Sequence, residues 1–254
     1  MSQTQATDIH HVDIAIMGSG MVGTALAVAL RDASLSIAII DAQDNERLQN
    51  RTVPADSVDA FKPRVSALTL TSKALLNHVG AWQNIDSQQV MPYQEMRVWD
   101  QLGTAQINFD AAEIYRDDLG FIVENQNIVS ALHQSMAEQA NVSRFYGASL
   151  EKISASNSKP DCHILTLSDG KKIHCELLVA ADGANSKVRQ AMGMATREWD
   201  YQHHGLVCTI ETELSNENCA WQRFTETGVL AFLPIKSQSD KNLCSIVWSC
   251  PEEQ

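Results

Sequence analysis

The stretch "DIAIMGSGMVGTALAVALRDASLSIAIID", Asp13 to Asp41, decides the fold, and its seventeen residues from Ile14 to Leu30 carry no charge. Three structures compete for such a run. A secretory signal requires basic residues ahead of its apolar segment, whereas Asp8 and Asp13 precede this one and no Lys or Arg does. A membrane-spanning helix requires about 20 predominantly apolar residues. This run is shorter and is interrupted by Gly18, Ser19, Gly20, Gly23 and Thr24. The third reading gives those glycines a use. Val12–Met17 is expected to form a buried strand, Met21–Ala33 a helix with Ala25, Leu26, Ala29 and Leu30 on one face, and Ser36–Ile40 a second buried strand. Gly18, Gly20 and Gly23 then sit in a strand-to-helix turn with the spacing G-x-G-x-x-G. In that setting Gly18 permits the tight turn, Gly20 lets backbone approach a pyrophosphate, and Gly23 with Ala27 lets the helix pack closely on the strand. The helix N-terminus offers unpaired N–H groups and partial positive charge to phosphates. Asp41 closes the second strand eighteen residues after Gly23, where a carboxylate accepts hydrogen bonds from a ribose hydroxyl.

Composition restricts the alternatives. A chain of 254 residues forms one large domain or two modest ones with ample core. Its net charge of −12, from 19 basic and 31 acidic residues, argues against non-specific binding to nucleic acid or to anionic lipid. The six cysteines, at 162, 175, 208, 219, 244 and 250, form no C-x-x-C pair and no zinc spacing, so no metal site is expected. They read as reduced thiols of a cytoplasmic protein.

Downstream, residues 42–63 are polar and aperiodic and read as a long surface excursion. In "RVSALTLTSKALLNHVGAW", Thr71 or Ser72 is expected to cap a helix carrying Leu75, Leu76 and Val79, with Gly80 ending it. Strands are expected at Glu95–Asp100 and Ala105–Asp110 around a loop with Gly103, then at Gly120–Val123, followed by a helix from Asn127 to Gln139 with Ile128, Leu132 and Met136 at helical spacing. Val142–Val179 is β in character, with a turn at Asp169–Gly170, and Leu206–Ser249 is a succession of strands. One further element bears on the cofactor. "ELLVAADGANSKVRQAMG", Glu176–Gly193, is an apolar strand stopping at Asp182–Gly183 and opening a short helix. Asp182 reads either as a simple N-cap, with Gly183 a turn residue, or as part of a second dinucleotide element. An NAD dehydrogenase has no need of that element, whereas a flavoprotein whose extended FAD lies along the sheet could use one.

Taken together, Gly18-Ser-Gly20-Met-Val-Gly23 with Asp41, "RVSAL" at Arg64–Leu68, "ENQNIVSAL" at Glu124–Leu132 and "AADGANSKVR" at Ala180–Arg189 resemble the aromatic-ring flavin monooxygenases of the p-hydroxybenzoate hydroxylase type. Within that group, "REWDYQHHGLVCTIETE", "GVLAFLPI" and "LCSIVWSCPEE" resemble the ubiquinone-biosynthesis hydroxylases, nearest to the 2-octaprenylphenol hydroxylase branch. The resemblance implies an α/β fold: a Rossmann-like FAD-binding domain (1–90 and 120–196) interleaved with an antiparallel-sheet substrate domain (91–119 and 197–254). It implies FAD as cofactor, with Gly18, Gly20, Gly23 and Asp41 on its ADP half, Arg64 and Asn125 beside the flavin nucleotide, and Asp182 and Gly183 forming the Asp-Gly motif. Arg64 is otherwise a surface ion-pair residue and Asn125 a helix cap. His203 and His204, whose titration range suits phenol deprotonation, read as structural histidines and stay outside the site.

The implied chemistry is reduction of FAD by NAD(P)H, reaction with O₂, and hydroxylation of a polyprenylated phenol, with no nucleic-acid partner. A polyprenyl substrate implies peripheral association with the inner membrane or with a biosynthetic assembly. The alternatives are a flavin-binding subunit or fragment without activity, and an NAD-dependent dehydrogenase. The resemblance further implies a C-terminal segment beyond Gln254, carrying a Gly-Asp-Ala-Ala-His motif and a Gly-Gln-Gly loop. The chain is therefore expected to be a truncated form that holds FAD weakly and aggregates through apolar surface left uncovered.

Overall fold

The computed structural model describes residues 9–44, 64–156, 162–237 and 241–251. Most of the expected 42–63 excursion and the last residues, 252–254, lie outside these. The chain divides into two compact units, residues 1–50 with 129–197 and residues 51–128 with 198–254.

The first unit is built on the opening stretch. Strand β1 (Ile9–Met17) leads through helix α1 (Met21–Ala29) to β2 (Ile37–Asp41), which pairs parallel to β1 with Ile14 opposite Ile37 and Met17 opposite Ile40. Ile16, Ile37, Ile39 and Ile40 are fully enclosed. These continuous apolar runs suit a parallel sheet covered on both faces. Each such side chain contributes about 1.5–3 kcal/mol by leaving water. The sheet continues with β8 (Val142–Tyr146) beside β2 and with β11 (Lys172–Ala180) beside β1, both parallel. Strands β9 (Leu150–Ala155) and β10 (His163–Leu167) extend it antiparallel, giving the order β8-β2-β1-β11-β10-β9. The hairpin from β10 to β11 turns at Asp169–Gly170, where Gly170 has φ +84°. One face of the sheet, carrying Ala15, Met17, Ala38, Ile40, Phe145, Leu165 and Leu167, packs with Val188 in one buried cluster.

The second unit carries two sheets. Strands β3 (Val65–Thr69), β4 (Val90–Tyr93) and β7 (Gly120–Glu124) form a three-stranded antiparallel sheet in the order β3-β7-β4. The larger sheet runs β12-β15-β14-β13-β5-β6, from β5 (Glu95–Asp100), β6 (Gln106–Asp110), β12 (His204–Thr212), β13 (Cys219–Thr225), β14 (Gly228–Ile235) and β15 (Asn242–Cys250). It is antiparallel except where β13 lies parallel to β5. Ala220, Met96 and Leu233 from this sheet pack with Tyr93 and Ile122 from the smaller one. The α/β class with a separate, mainly antiparallel sheet agrees with the sequence expectation.

Several boundaries differ from the expectation. Helix α2 (Leu70–His78) is capped by Thr69, whose hydroxyl accepts from the Ser72 N–H at 3.1 Å, and not by Thr71 or Ser72. The pairing of β3 with β7 runs up to Thr69, so the strand passes directly into the helix. Leu76 and Val79 are buried as expected, while Leu75 is 53% exposed. Helix α1 stops at Ala29, short of Ala33. Helix α3 (Asn125–Met136) begins two residues before Asn127 and ends three before Gln139. Its Ile128, Leu132 and Met136 are buried. Among the described residues no helix is long and apolar enough to cross a membrane.

Candidate functional site

The carboxyl ends of β1, β2 and β11 converge on Gly18. Its N–H donates to Ile40 O at 2.7 Å, and Ala181 N–H donates to Met17 O at 2.8 Å. This is the edge at which parallel α/β sheets place ligands. The three glycines there have different reasons. Gly18 adopts φ +98°, and a Cβ on it would lie 2.3 Å from Ala181 O and 2.9 Å from the Asp182 Cα. A Cβ on Gly23 would lie 1.9 Å from Gly18 O. Both positions are therefore dictated by the fold itself. Gly20 is not: its φ is −71° and a Cβ would meet nothing within 4 Å. The protein alone gives no need for glycine at 20, which is what a site kept open for a pyrophosphate requires. Gly20 caps α1, whose first backbone bond is Thr24 N–H to Gly20 O at 3.0 Å. The N–H groups of Met21, Val22 and Gly23 thus have no partner within the helix and face the anion-binding end.

The middle residue of the turn, Ser19, is fully buried. Its N–H and hydroxyl both donate to Asp41 Oδ2, at 2.7 and 2.9 Å, while Asp41 Oδ1 accepts from Gln43 N–H at 2.8 Å. Asp41 thus stands where the spacing placed it, but three of its hydrogen bonds go to the protein. The Ser19 carbonyl accepts from the Thr24 hydroxyl at 2.8 Å and faces His133 Nε2 at 2.9 Å. Neither contact was legible in the sequence: His133 is 114 positions from Ser19 and sits beside the apolar stripe of α3, where it reads as an ordinary core residue.

Asp182 is the neighbour of Gly18, so the two glycine-containing elements are adjacent. Its carboxylate accepts from the Ser186 hydroxyl at 2.6 Å and from the N–H groups of Lys187 and Val188 at 2.7 and 3.3 Å. The N-cap of the short helix α4 (Lys187–Ala191) is Ser186, which accepts from Arg189 N–H. Asp182 supports that helix end from further back, and Gly183, at φ +88°, turns the chain beside it with open space around it. Arg64 and Asn125 fall in the second unit. Asn125 opens α3, and its N–H donates to Arg64 O at 3.0 Å across the β3–β7 pair. Its Oδ1 accepts from the Ser66 hydroxyl at 2.6 Å. His203 is exposed, its ring nitrogens lying against Tyr201 O and Thr227 O. Two surface clefts, one lined by His11, Asp13, Cys162 and His174 and one by Lys73, Asn77, Arg116 and Asp118, contain none of the expected site residues.

Over 253 residues the chain is 36% identical to the mitochondrial ubiquinone biosynthesis monooxygenase COQ6 of Xenopus tropicalis, covering 95% of this chain and 52% of that protein. It is 33% identical over 238 residues to the 3-demethoxyubiquinol 3-hydroxylase of Escherichia coli K12, covering 93% of this chain and 56% of that one. The chain thus spans about half the length of these relatives. Among solved structures, PqsL of Pseudomonas aeruginosa superposes with a TM-score of 0.76 at 17% identity, over 96% of this chain and 62% of PqsL. The p-nitrophenol 4-monooxygenase PnpA of Pseudomonas putida gives 0.72 at 15%, over 96% and 59%. These two establish the fold alone. The family described as FAD binding domain matches residues 11–254, from within β1 through the last strand, and to that family this chain belongs.

Proposed function

We propose that this chain takes part in FAD-dependent hydroxylation of a polyprenylated phenol in ubiquinone biosynthesis, with NAD(P)H as reductant and O₂ as co-substrate. The observation that carries the cofactor half of this reading is the open cradle at Gly20. It is the one fingerprint glycine the fold does not itself require, and it stands at the N-terminus of α1. The substrate half rests on the names of the relatives, one a ubiquinone biosynthesis monooxygenase and another a 3-demethoxyubiquinol 3-hydroxylase. Bound FAD would supply the oxidation chemistry, and the polypeptide binds, orients and excludes water.

In this reading the turn shaped by Gly18 and Gly23 presents the backbone at Gly20 and the start of α1 to the pyrophosphate. Asp41 retains one lone-pair position on Oδ1 for a ribose hydroxyl, because a carboxylate accepts about four hydrogen bonds and the described residues supply three. Asp182, whose Cα lies beside Gly18, and Gly183 after it border the cofactor, and Arg64 and Asn125 serve the flavin nucleotide. The functional division is into 1–90 with 120–196 for the cofactor and 91–119 with 197–254 for the substrate. An apolar row across the larger sheet, Val207–Val247–Ala231 continuing through Gln222 to Val98 and Ile107, offers a surface for a prenyl chain. Val207, Val247 and Ile107 on it are 36%, 38% and 59% exposed. A substrate of this kind brings the protein to a membrane surface peripherally, and co-sedimentation with vesicles measures that.

The test is to titrate the purified chain with FAD by fluorescence quenching, then follow NAD(P)H-dependent O₂ uptake and product with a prenylphenol. Stoichiometric FAD uptake with coupled product supports the reading. FAD uptake without product supports a flavin-binding chain that lacks the reaction. NAD binding without FAD uptake refutes the reading in favour of a dehydrogenase.

A further inference from the structure

His133 is 2% exposed and belongs to no expected site, yet it lies directly behind the glycine turn. Its Nε2 is 2.9 Å from Ser19 O and 3.5 Å from the Thr24 hydroxyl, and its Nδ1 is 3.3 Å from the Tyr146 hydroxyl. These partners fix the tautomer. Ser19 O only accepts, and the Thr24 proton is already directed at that same oxygen, so the ring proton sits on Nε2. Nδ1 is then bare and accepts from Tyr146. The charged groups around the ring are Asp41 and Arg144, with the neutral Tyr146 phenol against Nδ1. Burial, the largest influence, holds the imidazole pKa below its ordinary value.

The consequence lies on the far side of one peptide bond. A trans peptide is planar, with the N–H pointing opposite to the C=O, and no cis bond occurs among the described residues. With the Ser19 carbonyl drawn inward by His133 and Thr24, the Gly20 N–H points away from His133. Among the described residues that N–H takes no hydrogen-bond partner. Asp41 grips the other side of Ser19 through its N–H and hydroxyl. The turn is therefore clamped at its central residue, and its next N–H is left free in a fixed direction.

We propose that His133 is a positioning residue of the nucleotide site: by holding the Ser19 carbonyl inward, its Nε2–H aims the Gly20 N–H at a ligand pyrophosphate. This rests on the reading of the chain as an FAD-binding domain. It predicts that the effect of removing His133 is confined to ligands that carry a pyrophosphate.

The experiment compares wild type, His133→Phe, which keeps the ring shape without the donor, and His133→Gln, which returns an amide donor at similar reach. Each is titrated with FAD, ADP and adenosine. His133→Phe should weaken FAD and ADP by about tenfold, the loss of one oriented hydrogen bond, and leave adenosine unchanged. His133→Gln should bring FAD and ADP back to within about threefold. Unchanged FAD and ADP binding in folded His133→Phe, an equal loss for adenosine, or a His133→Gln no better than His133→Phe would each overturn the proposal. Nitrogen-15 NMR of the wild-type chain needs no variant: it should show His133 protonated on Nε2 only and the Gly20 amide shifting on addition of ADP. A proton on Nδ1 instead, or a Gly20 amide indifferent to ADP, overturns it too. A wild-type chain that takes up neither FAD nor ADP overturns the cofactor reading and this proposal together. Wild-type uptake with an indifferent His133→Phe overturns this proposal alone.

Discussion

Substituting the three fingerprint glycines one at a time should separate stability from binding. At Gly20 the backbone has φ −71° and a Cβ meets nothing within 4 Å, so Gly20→Ala introduces no clash. Reduced freedom of the unfolded chain contributes about 0.4–1 kcal/mol in its favour. Loss of the glycine N-cap costs about 0.5–1 kcal/mol. The two nearly cancel, and with roughly 2–4 °C per kcal/mol for a chain of this size the melting temperature should move by less than about 2 °C. At Gly18 and Gly23 the added Cβ would lie 2.3 and 1.9 Å from a backbone carbonyl oxygen. Overpacking of that kind costs about 1–3 kcal/mol, so both variants should melt roughly 2–12 °C lower. Binding should show the opposite order among folded variants. Gly20→Val fills the cradle and removes a charge-assisted hydrogen bond to phosphate worth about 1.5–3 kcal/mol, or roughly 10- to 150-fold in the FAD Kd. The assay is a thermal melt of flavin-free protein beside an FAD titration of each variant. A Gly20→Val chain that keeps wild-type FAD affinity, or that loses stability as Gly18→Ala does, would refute the assignment of the open position to the cofactor.

Four further outcomes follow from the same geometry. Asp41→Ala should destabilise the flavin-free chain by about 2 kcal/mol, because Ser19 and Gln43 lose their carboxylate acceptor; a wild-type melting curve would show that those bonds contribute nothing. Asp182→Ala should loosen α4 at a cost of about 1 kcal/mol, read as faster amide exchange at Lys187 and Val188, whose N–H groups it accepts. Because burial depresses the His133 pKa, the unfolded chain binds its proton first as pH falls. Its contribution is therefore whole above the ordinary histidine value of about 6.5 and declines below it, by at most about 1.4 kcal/mol per pH unit. Chemical denaturation of wild type and His133→Gln between pH 7.5 and 5 should show a shallower decline for the variant, and parallel curves would contradict this. Burial pushes the Cys175 and Cys219 thiols up to about 11, so alkylation at pH 8 should label the more accessible Cys162 and Cys208 well before either.

The opening stretch alone determined the β1–α1–β2 unit, because each part of it is local. Continuous apolar runs of strand length, three glycines at a strand-to-helix turn and an acid at the end of the second strand are properties of residues close in sequence. The Asp169–Gly170 hairpin and the buried stripe of α3 were legible for the same reason. The sequence also separated a parallel, nucleotide-type region from a later succession of strands. What it missed depended on partners distant in the chain. Thr69 caps α2 because β3 continues its pairing with β7 to that residue, and propensity near the cap does not record this. Asp41 has an acceptor's place in any reading, but only the folded turn brings the Ser19 N–H and hydroxyl onto it. Asp182 stands beside Gly18 because β11, 155 positions after Met17 at its Lys172 start, pairs parallel to β1 and ends level with it. His133 meets Ser19 across 114 positions, with nothing in either local pattern to connect them. Strand and helix are specified by periodicity within a few turns of chain, whereas the orientation of a single peptide plane is set by whichever buried donors the tertiary fold carries to it.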